Sequence, residues 1–481
     1  MESIIWLIVC IHITLALVVV FRDTRDVSST WAWLIVLIFL PVAGLIIYLF
    51  FGKKISKDNI FDLKNQERLG LKISSDEQQE LLKNGSLGSK HNRSEHEMIS
   101  LFLNSEDALY TQYNTVDIII DGTKKFNALI QDIQQAKHHI HLQYYIFHSD
   151  DLGKRVVREL AEKAKQGVEV LVLYDAWGNN TLKPNFFKKL TKAGGKAMPF
   201  FGSPIPIINL RMNYRNHRKI VVIDGKIGYI GGFNIGDEYI GLGKLGYWRD
   251  THLRIQGEAV HSLQTRFFVD WNATAAEKDQ RSYQMAYFPE VKHLSLNGEH
   301  VAMQIVSSGP DEDWEHIKLG YVKMISLAKE SIYIQTPYFI PDESVMDALR
   351  IAIRSGIQVY IMIPDRPDHM VVYRATEYYA KILQSLGANV YLYEKGFIHS
   401  KVVIIDSQIS SVGTANFDYR SFRLNFEVSA FLYNETIAKE LESYFWIDVS
   451  HSLKADENYF KQQSKWRKCK QAIARLFSPI L

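Results

Sequence analysis

Residues 216–225, Asn-His-Arg-Lys-Ile-Val-Val-Ile-Asp-Gly, have a second copy in residues 398–407, Ile-His-Ser-Lys-Val-Val-Ile-Ile-Asp-Ser. In each copy a lysine follows the histidine by two positions, and an aspartate follows the lysine by five. One offset (399 − 217 = 182) separates the members of three pairs: His217 and His399, Lys219 and Lys401, Asp224 and Asp406. Asn234 and Asn416 keep this offset. An ungapped match of this length indicates a duplicated half-site.

Each lysine precedes a short, β-branched apolar run, which predicts a buried strand. Side chains alternate between the faces of a strand, so the histidine and lysine of each copy share one face. An imidazole can be nucleophile, base or acid near neutral pH, because its ordinary pKa is about 6.5. The ammonium group offers a compact positive charge to phosphate oxygens. One such pair is usually an ordinary surface feature, whereas two copies in register indicate a phosphate-handling site.

The motif aspartates are expected at turns. Asp224 lies five residues beyond its lysine, about 16 Å along a strand at roughly 3.3 Å per residue, and the Asp-Gly pair is typical of a two-residue hairpin. Geometry alone therefore gives Asp224 and Asp406 structural roles. Better candidates for orienting the histidines are Asp250 and Glu427, which lie downstream in apolar, strand-like contexts. A carboxylate that accepts from one ring nitrogen fixes the tautomer of the other.

Length and charge limit the classes of protein. The 481 residues can form two to four domains. The chain is 47% hydrophobic, and 56 Lys and Arg nearly balance 53 Asp and Glu. Nucleic-acid-binding domains usually carry a clear basic excess, so we expect no nucleic-acid partner. Cys10 and Cys469 lie near opposite ends, which predicts neither a disulfide framework nor a zinc site.

Two apolar runs near the N-terminus predict a transmembrane hairpin. Residues 4–21 and 31–51 would each span about 27–32 Å at 1.5 Å per residue, enough to cross a hydrocarbon core. A signal peptide is the alternative for the first run, but an acidic residue precedes it and no small-residue cleavage site is evident. Lysines after the second run favour a cytoplasmic catalytic body, whereas two arginines in the turn weaken that orientation.

The remaining chain divides into a connector and two repeats. After the hairpin, residues 1–54, we expect a polar juxtamembrane connector over residues 55–110. Strand-like and helix-like segments then alternate in two copies, which predicts α/β domains with a mostly parallel sheet and helices on both faces. The duplication therefore covers whole domains, residues 111–290 and 291–481. The half-sites must meet at a pseudo-twofold axis, because one reaction needs two histidines on opposite sides of one phosphorus.

Two further clusters have competing interpretations. His138, His139 and His141 lie on one predicted strand, where neighbours point to opposite faces, and with no matching carboxylate or cysteine set we expect no metal. The tail over residues 458–477 is basic and aromatic. It is either an amphipathic helix on an anionic membrane surface or a terminal helix packed on the catalytic body.

The paired motifs resemble those of the phospholipase D superfamily. The apolar hairpin, Ser-Ser-Gly-Pro at 307–310, Gln-Thr-Pro-Tyr-Phe at 335–339 and Ser-Pro-Ile-Leu at 478–481 resemble bacterial cardiolipin synthases, over nearly the whole chain. The resemblance implies two phospholipase D-like α/β/α sandwich domains after the hairpin. It also implies a two-span protein of the bacterial cell membrane with cytoplasmic catalytic domains and no metal or other cofactor.

The resemblance assigns residue roles as well. In the superfamily both histidines, both lysines and both aspartates of the motifs count as active-site residues, which implies six catalytic positions: His217, Lys219, Asp224, His399, Lys401 and Asp406. For Asp224 and Asp406 this catalytic role differs from the structural role that the turn geometry predicts, and both interpretations stay open. Asn234 and Asn416 would join the lysines in binding the non-bridging phosphate oxygens.

The expected reaction transfers the phosphatidyl group of one phosphatidylglycerol reversibly to another, giving cardiolipin and glycerol. One imidazole would attack phosphorus and form a phosphohistidine. The other would protonate the leaving glycerol and then deprotonate the incoming hydroxyl. We favour His217 as the nucleophile, and the symmetry of the two copies leaves His399 as the alternative.

Other activities stay open. A hydrolytic phospholipase D, or a phosphatidyltransferase that uses another acceptor alcohol, would carry the same motifs. A nuclease fits the near-neutral charge and the apolar runs less well, and a scaffold with inactive half-sites would need a broken motif. The expected partners are phosphatidylglycerol and anionic membrane lipid. The oligomeric state, including a homo-oligomer, stays open.

Overall fold

The computed structural model describes residues 13, 14, 17, 27–48, 64–87, 92–183, 185–202, 213–282, 284–291, 300–312 and 314–481. Apart from three positions, the predicted first span lies outside these residues. The second is interrupted: helix α1 (Val27–Phe39) ends before Leu40, and α2 (Pro41–Ile47) follows it. Proline has no N–H to donate to the preceding turn, so the helix breaks here instead of continuing through residues 31–51 as predicted. In the described ranges, no helix has the length and apolar character needed to cross a membrane.

Helices and a short strand occupy much of the segment predicted as a connector: α3 (Lys64–Lys83), α4 (Arg93–Ser105) and β1 (Tyr110–Thr111). Helix α4 begins at a capping box, in which the Asn92 side chain accepts from the Glu95 N–H and the Glu95 side chain accepts from the Asn92 N–H. Its residues Met98 and Phe102 are fully buried. The end of this segment is therefore part of a folded domain.

The first domain contains these elements in chain order: β2 (Asn114–Ile119), α5 (Gly122–Gln135), β3 (His139–Tyr144), α6 (Asp151–Lys165), β4 (Glu169–Asp175), α7 (Lys188–Lys192), β5 (Lys196–Phe200), β6 (Arg215–Asn216), β7 (Ile220–Ile223), β8 (Ile227–Gly231), β9 (Tyr247–Arg249), β10 (His252–Gly257) and α8 (Ala259–Asn272). Its sheet has the order β2-β10-β8-β7-β3-β4-β5. Only β3–β4 and β4–β5 pair in parallel. The prediction of a mostly parallel sheet is wrong, because hairpin and other antiparallel pairings join the remaining strands.

The second domain repeats this arrangement with these elements: β11 (Ala302–Ser308), α9 (His316–Leu327), β12 (Ser331–Gln335), β13 (Phe339–Ile340), α10 (Glu343–Arg354), β14 (Gln358–Pro364), α11 (Met370–Leu386), β15 (Asn389–Tyr393), β16 (Gly396–Ile398), β17 (Val402–Ile405), β18 (Ile409–Gly413), β19 (Phe417–Asp418), α12 (Tyr419–Arg423), β20 (Asn425–Tyr433), α13 (Glu435–Val449), β21 (Ser452–Lys454), α14 (Glu457–Lys461) and α15 (Lys465–Ala474). The order β11-β20-β18-β17-β12-β14-β15 matches the first domain strand for strand, which confirms the duplication. Strands β1 and β21 extend this sheet at its two ends.

Helix α4 packs on the second domain. Phe102 contacts the Phe431 ring at a centroid distance of 4.5 Å, and Glu97 forms an ion pair with Lys323 of α9 at 2.5 Å. These contacts, together with the β1–β11 pair, anchor the end of the predicted connector to the core of the second domain.

The domains share an apolar core and two short strand pairs. Residues of β7 and β8, including Ile220 and Ile230, lie in one buried cluster with Ile404 and Val428 of the second domain. Strand β6 pairs in parallel with β20, and β9 pairs in parallel with β16. Each pair places the start of one motif beside a strand of the opposite domain.

The C-terminal helix α15 packs against α11. Gln471 and Ala474 are buried, and Arg467 forms an ion pair with Glu377 of α11. A short 3₁₀ helix, Arg475–Ile480, continues the chain. The structure therefore favours the packed interpretation of the tail, although Trp466 remains exposed on its outer side.

Candidate active site

Each motif histidine binds a carboxylate of the other domain. His217 Nδ1 lies 2.9 Å from Glu427 Oε2, and His399 Nδ1 lies 2.6 Å from Asp250 Oδ2. The main-chain N–H of each histidine also donates to the carbonyl of the residue just before that carboxylate, at 2.9 Å for His217 and 2.7 Å for His399. The two residues predicted to orient the histidines are therefore in contact with them, and both pairs cross between the domains.

Both histidines line one cleft of 1210 Å³ between the domains. Because Nδ1 of each ring faces its carboxylate, Nε2 is the nitrogen left for a substrate. Two imidazoles that open into the same space can act on one phosphorus, one as nucleophile and the other as acid and base.

The first half-site, His217 with Glu427, is rich in donors. Thr414 Oγ1 donates to Glu427 Oε2 at 2.5 Å, and Asn425 Nδ2 donates to Oε1 at 3.1 Å. Burial alone would raise the pKa of Glu427, but His217, Lys219 and the Thr414 hydroxyl hold it below its ordinary value. Burial lowers the pKa of His217 to about 4, against the opposing charge of Glu427. At neutral pH this half-site therefore holds an ionised carboxylate and a neutral imidazole with a free lone pair on Nε2.

The second half-site, His399 with Asp250, is poorer in donors. Beside the histidine, Asp250 accepts a hydrogen bond from the main-chain N–H of Thr251 at 2.7 Å. Burial raises the pKa of Asp250 to about 7, although Lys401 opposes this shift, and burial lowers the pKa of His399 well below its ordinary value. When the carboxyl group that faces Nδ1 holds the proton of this pair, Nε2 of His399 carries the ring N–H.

The motif lysines are buried beside their own histidines. Lys219 Nζ donates to the His217 carbonyl at 2.7 Å, and Lys401 Nζ donates to the His399 carbonyl. Burial lowers the pKa of Lys401 to about 8 and that of Lys219 well below its ordinary value, while nearby carboxylates oppose both shifts. The residues that line the cleft include neither lysine, so both lie behind the histidines that line it.

Asn234 and Asn416 both lie at the cleft and are buried. Asn234 Nδ2 donates to the Tyr239 hydroxyl at 2.6 Å, and its Oδ1 accepts from the Ile146 N–H at 3.2 Å. The main-chain N–H of Asn416 donates to Ser421 Oγ at 3.1 Å. Both amides line the cleft, and their contact with phosphate stays a prediction.

The motif aspartates lie at the far ends of β7 and β17. Asp224 accepts from the main-chain N–H groups of residues 137, 138 and 139 at 2.8–3.0 Å, and Asp406 accepts from those of residues 329, 330 and 331 at 2.8–2.9 Å. Both have positive φ, 54° and 51°. Each carboxylate therefore fixes a turn to the start of the neighbouring strand, and the structure does not bring either one to the cleft.

Aromatic side chains beside the histidines were not expected from the sequence. The Tyr145 ring meets His217 edge-on at a centroid distance of 4.7 Å, and Tyr239 and Trp248 lie 5.7 Å and 5.3 Å from His399. A usable sequence signal exists only for Trp248, which is two residues from Asp250 on the same strand face. In the described ranges, no group of His, Cys, Asp or Glu is arranged to hold a metal ion.

The sequence matches two family models. Residues 129–269 and 321–449 match the cardiolipin synthase, phospholipase D-like domain. Residues 4–53 match the phospholipase D-nuclease N-terminal region. The two matches to the first model correspond to the two domains described above.

Similar proteins cover nearly the whole chain. It is 51% identical over 475 residues to a cardiolipin synthase of Listeria welshimeri, covering 98% of this chain and 97% of the relative. It is 50% identical over 474 residues to the major cardiolipin synthase ClsA of Bacillus subtilis, covering 98% of this chain and 97% of that relative. Among solved structures, phosphatidylserine synthase of Haemophilus influenzae has the same fold, with a TM-score of 0.61 at 15% identity over 80% of this chain and 100% of that one.

Proposed function

The chain belongs to the cardiolipin synthase family of the phospholipase D superfamily, and we propose that its cross-paired histidines carry out the transfer in one cleft. It is a phosphatidyltransferase that acts on phospholipids. The phosphatidyl group of one phosphatidylglycerol moves to a hydroxyl of a second, giving cardiolipin and glycerol. The observation that supports this mechanism is that both imidazoles, each held at Nδ1 by a carboxylate of the opposite domain, line the same cleft.

In the first step Nε2 of His217 attacks the phosphorus of the donor. A nitrogen–phosphorus bond forms as the bond from phosphorus to the glycerol oxygen breaks, and Nε2 of His399 gives its proton to that oxygen. Nδ1 of His399 takes the proton of the Asp250 carboxyl group at the same time, so the imidazole stays neutral and the carboxyl group becomes ionised. The protonation states described above support this assignment, because His217 begins with a free lone pair beside ionised Glu427. Glu427 then stabilises the positive charge that develops on His217.

In the second step glycerol has left and a second phosphatidylglycerol has entered. Its hydroxyl oxygen attacks phosphorus, its proton passes to Nε2 of His399, and the nitrogen–phosphorus bond breaks. Lys219 and Lys401 lower the energy of the charged transition states from within the protein, and Asn234 and Asn416 contact the non-bridging oxygens. The covalent intermediate lets the first alcohol depart before the acceptor binds.

The N-terminal segment would keep this cleft beside its lipid substrate. The match of residues 4–53 to a family N-terminal region supports an anchor there, and the apolar runs support two membrane spans with cytoplasmic catalytic domains. A cleft tethered at the bilayer surface meets phosphatidylglycerol in two dimensions, where its local concentration is high.

The test is product analysis with the purified full-length protein in mixed micelles of detergent and radiolabelled phosphatidylglycerol. We expect labelled cardiolipin and released glycerol, separated by thin-layer chromatography. Phosphatidic acid as the main product would show a hydrolase instead, and a requirement for serine or another added alcohol would show a different transferase. Either outcome would refute the proposed acceptor.

A further inference from the structure

Two arginines form a cationic end of the active-site cleft. Arg215 and Arg420 both line it and are half-buried. Arg215 lies two residues before His217, and its guanidinium packs over the Trp177 ring at 4.9 Å from the centroid. The Arg420 guanidinium donates to the Asn213 carbonyl at 2.5 Å, and its main-chain N–H donates to the main-chain oxygen of Leu481 at 3.0 Å. Both arginines are therefore held in place in the cleft that the two histidines line.

In the described part of the chain, neither guanidinium forms an ion pair with a carboxylate. The two nearby buried carboxylates are bound to main-chain amides: Asp175 accepts from the N–H groups of residues 177, 178 and 216 at 2.7–3.0 Å, and Asp418 accepts from that of Ser421 at 2.6 Å. The arginine end thus keeps positive charge that is available to an anionic ligand.

The pseudo-symmetric positions have different chemistry. The offset of 182 residues that relates the motifs pairs Arg215 with Phe397 and places Arg420 opposite Glu238. Phe397 is fully buried, and Glu238 lies at the cleft 3.6 Å from His148. The two arginines at one end of the cleft are therefore matched at the related positions by a buried aromatic residue and an acidic residue. Phosphate handling by the histidines does not require this difference, since both half-sites hold the same reacting phosphorus.

The proposed reaction explains why the two ends of the cleft differ in charge. Cardiolipin contains two phosphates joined by one glycerol, and only one of them reacts. The other belongs to the acceptor lipid and must lie within the same cleft while its hydroxyl attacks. A guanidinium presents paired N–H donors that match phosphate oxygens, and it stays charged when partly buried.

Resting on the proposed function, we propose that Arg215 and Arg420 form a second phosphate site that binds the non-reacting phosphate of the acceptor lipid. This site selects a phosphate-bearing acceptor over glycerol or water, which carry no charge. In the reverse direction it holds the second phosphate of cardiolipin. The flexible glycerol link lets this phosphate turn away from the line of attack toward the arginines.

The test compares two acceptors for the same phosphatidyl-enzyme. Mixed micelles of detergent and phosphatidylglycerol receive radiolabelled glycerol, and cardiolipin formation and label exchange into phosphatidylglycerol are measured together. Exchange of labelled glycerol requires binding of the donor lipid's phosphate only. Cardiolipin formation requires binding of the acceptor lipid's phosphate as well. We expect Arg215→Gln and Arg420→Gln each to lower the ratio of cardiolipin to exchange by about tenfold or more, the size of one lost charge-assisted hydrogen bond.

The matched control is Lys244→Gln, which removes one positive charge from elsewhere in the cleft lining, and we expect its ratio to stay within about twofold of the wild type. Arg215→Lys and Arg420→Lys should recover part of the lost ratio. Retained exchange in the Gln variants shows that they are folded and still form the intermediate. An unchanged ratio, or an equal fall of both activities, overturns the second site. Failure of the proposed function is distinct, since the wild type would then make no cardiolipin, with or without glycerol exchange.

Discussion

Besides its histidine, Glu427 accepts hydrogen bonds from two side chains, Thr414 and Asn425, whereas Asp250, in the other half-site, accepts one from the Thr251 main chain. The position related to Thr414 by the 182-residue offset is Gly232. A Cβ added there would lie 2.1 Å from Asp250 Oδ1, so no side chain fits. Duplication has kept the two imidazoles in equivalent places, while the donors around each carboxylate differ. That difference leaves Nε2 of His217 with a free lone pair and Nε2 of His399 with a proton.

The largest effect should come from removing either imidazole. We expect His217→Ala and His399→Ala each to lower cardiolipin formation by about 10⁴-fold or more, because each step needs both groups. Phosphate trapped by rapid quenching of the wild type should lie on the peptide that contains His217. Trapping on His399 would reverse the two roles.

Replacement of the carboxylates should separate the half-sites. We expect Glu427→Gln to lower kcat by about 10³-fold, because it removes an ionised group that stabilises charge on His217. Asp250→Asn should lower kcat by a similar factor for a different reason, since an amide cannot pass a proton to Nδ1 of His399 while Nε2 protonates the leaving oxygen. Turnover of both purified variants is measured in mixed micelles with phosphatidylglycerol and with a donor whose leaving alcohol is more acidic, which should restore activity to Asp250→Asn only. Equal recovery of both variants would mean that the two half-sites have the same role.

Removal of one donor should make the half-sites more similar. We expect Thr414→Val to reduce kcat about tenfold, the effect of one hydrogen bond to a charged group. The hydroxyl holds the pKa of Glu427 down, so its loss raises that pKa and activity should begin to fall at a higher pH on acidification. An acid limb in the same place as in the wild type would exclude this role for Thr414.

The dependence of kcat on pH should show the titration of the Asp250–His399 pair in the second half-site. Because burial raises the pKa of Asp250 to about 7, the pair loses its proton as the pH rises through that value. We expect kcat to decline above about pH 7, as glycerol loses its proton donor. In Asp250→Asn this alkaline limb should be absent, and its persistence would assign the limb to another group.

The smallest effect on turnover should come from the turn aspartates. We expect Asp224→Asn and Asp406→Asn to lower the free energy of unfolding by about 1–3 kcal/mol each, because an amide replaces a carboxylate that accepts three main-chain hydrogen bonds. Asparagine tolerates the positive φ at both positions. Thermal unfolding and kcat of the folded fraction measure the two effects separately. A large loss of kcat at unchanged stability would support the catalytic role that the superfamily resemblance implies.

Much of the fold could be predicted from short-range patterns. The strands after Lys219 and Lys401 lie where the apolar runs placed them, and the duplication is present strand for strand. The Asp-Gly pair predicted the β7–β8 hairpin, but the direction of the whole sheet could not be predicted. The antiparallel pairs β3–β7 and β10–β2 join strands that lie far apart in the chain, and short-range patterns do not show which of these pair. The sequence predicts that helix α4 belongs to a connector. Its amphipathic pattern shows that one face is buried but does not show which part of the protein covers that face.

The sequence by itself determined the register of the two repeats and the turn at each motif aspartate. These depend on residues a few positions apart, for which backbone geometry is nearly fixed. Only the tertiary structure decided which carboxylate serves which histidine, since Glu427 lies 210 residues from His217 and Asp250 lies 149 from His399. It also decided the charge difference across the cleft, because burial and donor placement are properties of the packed domains and not of the chain order.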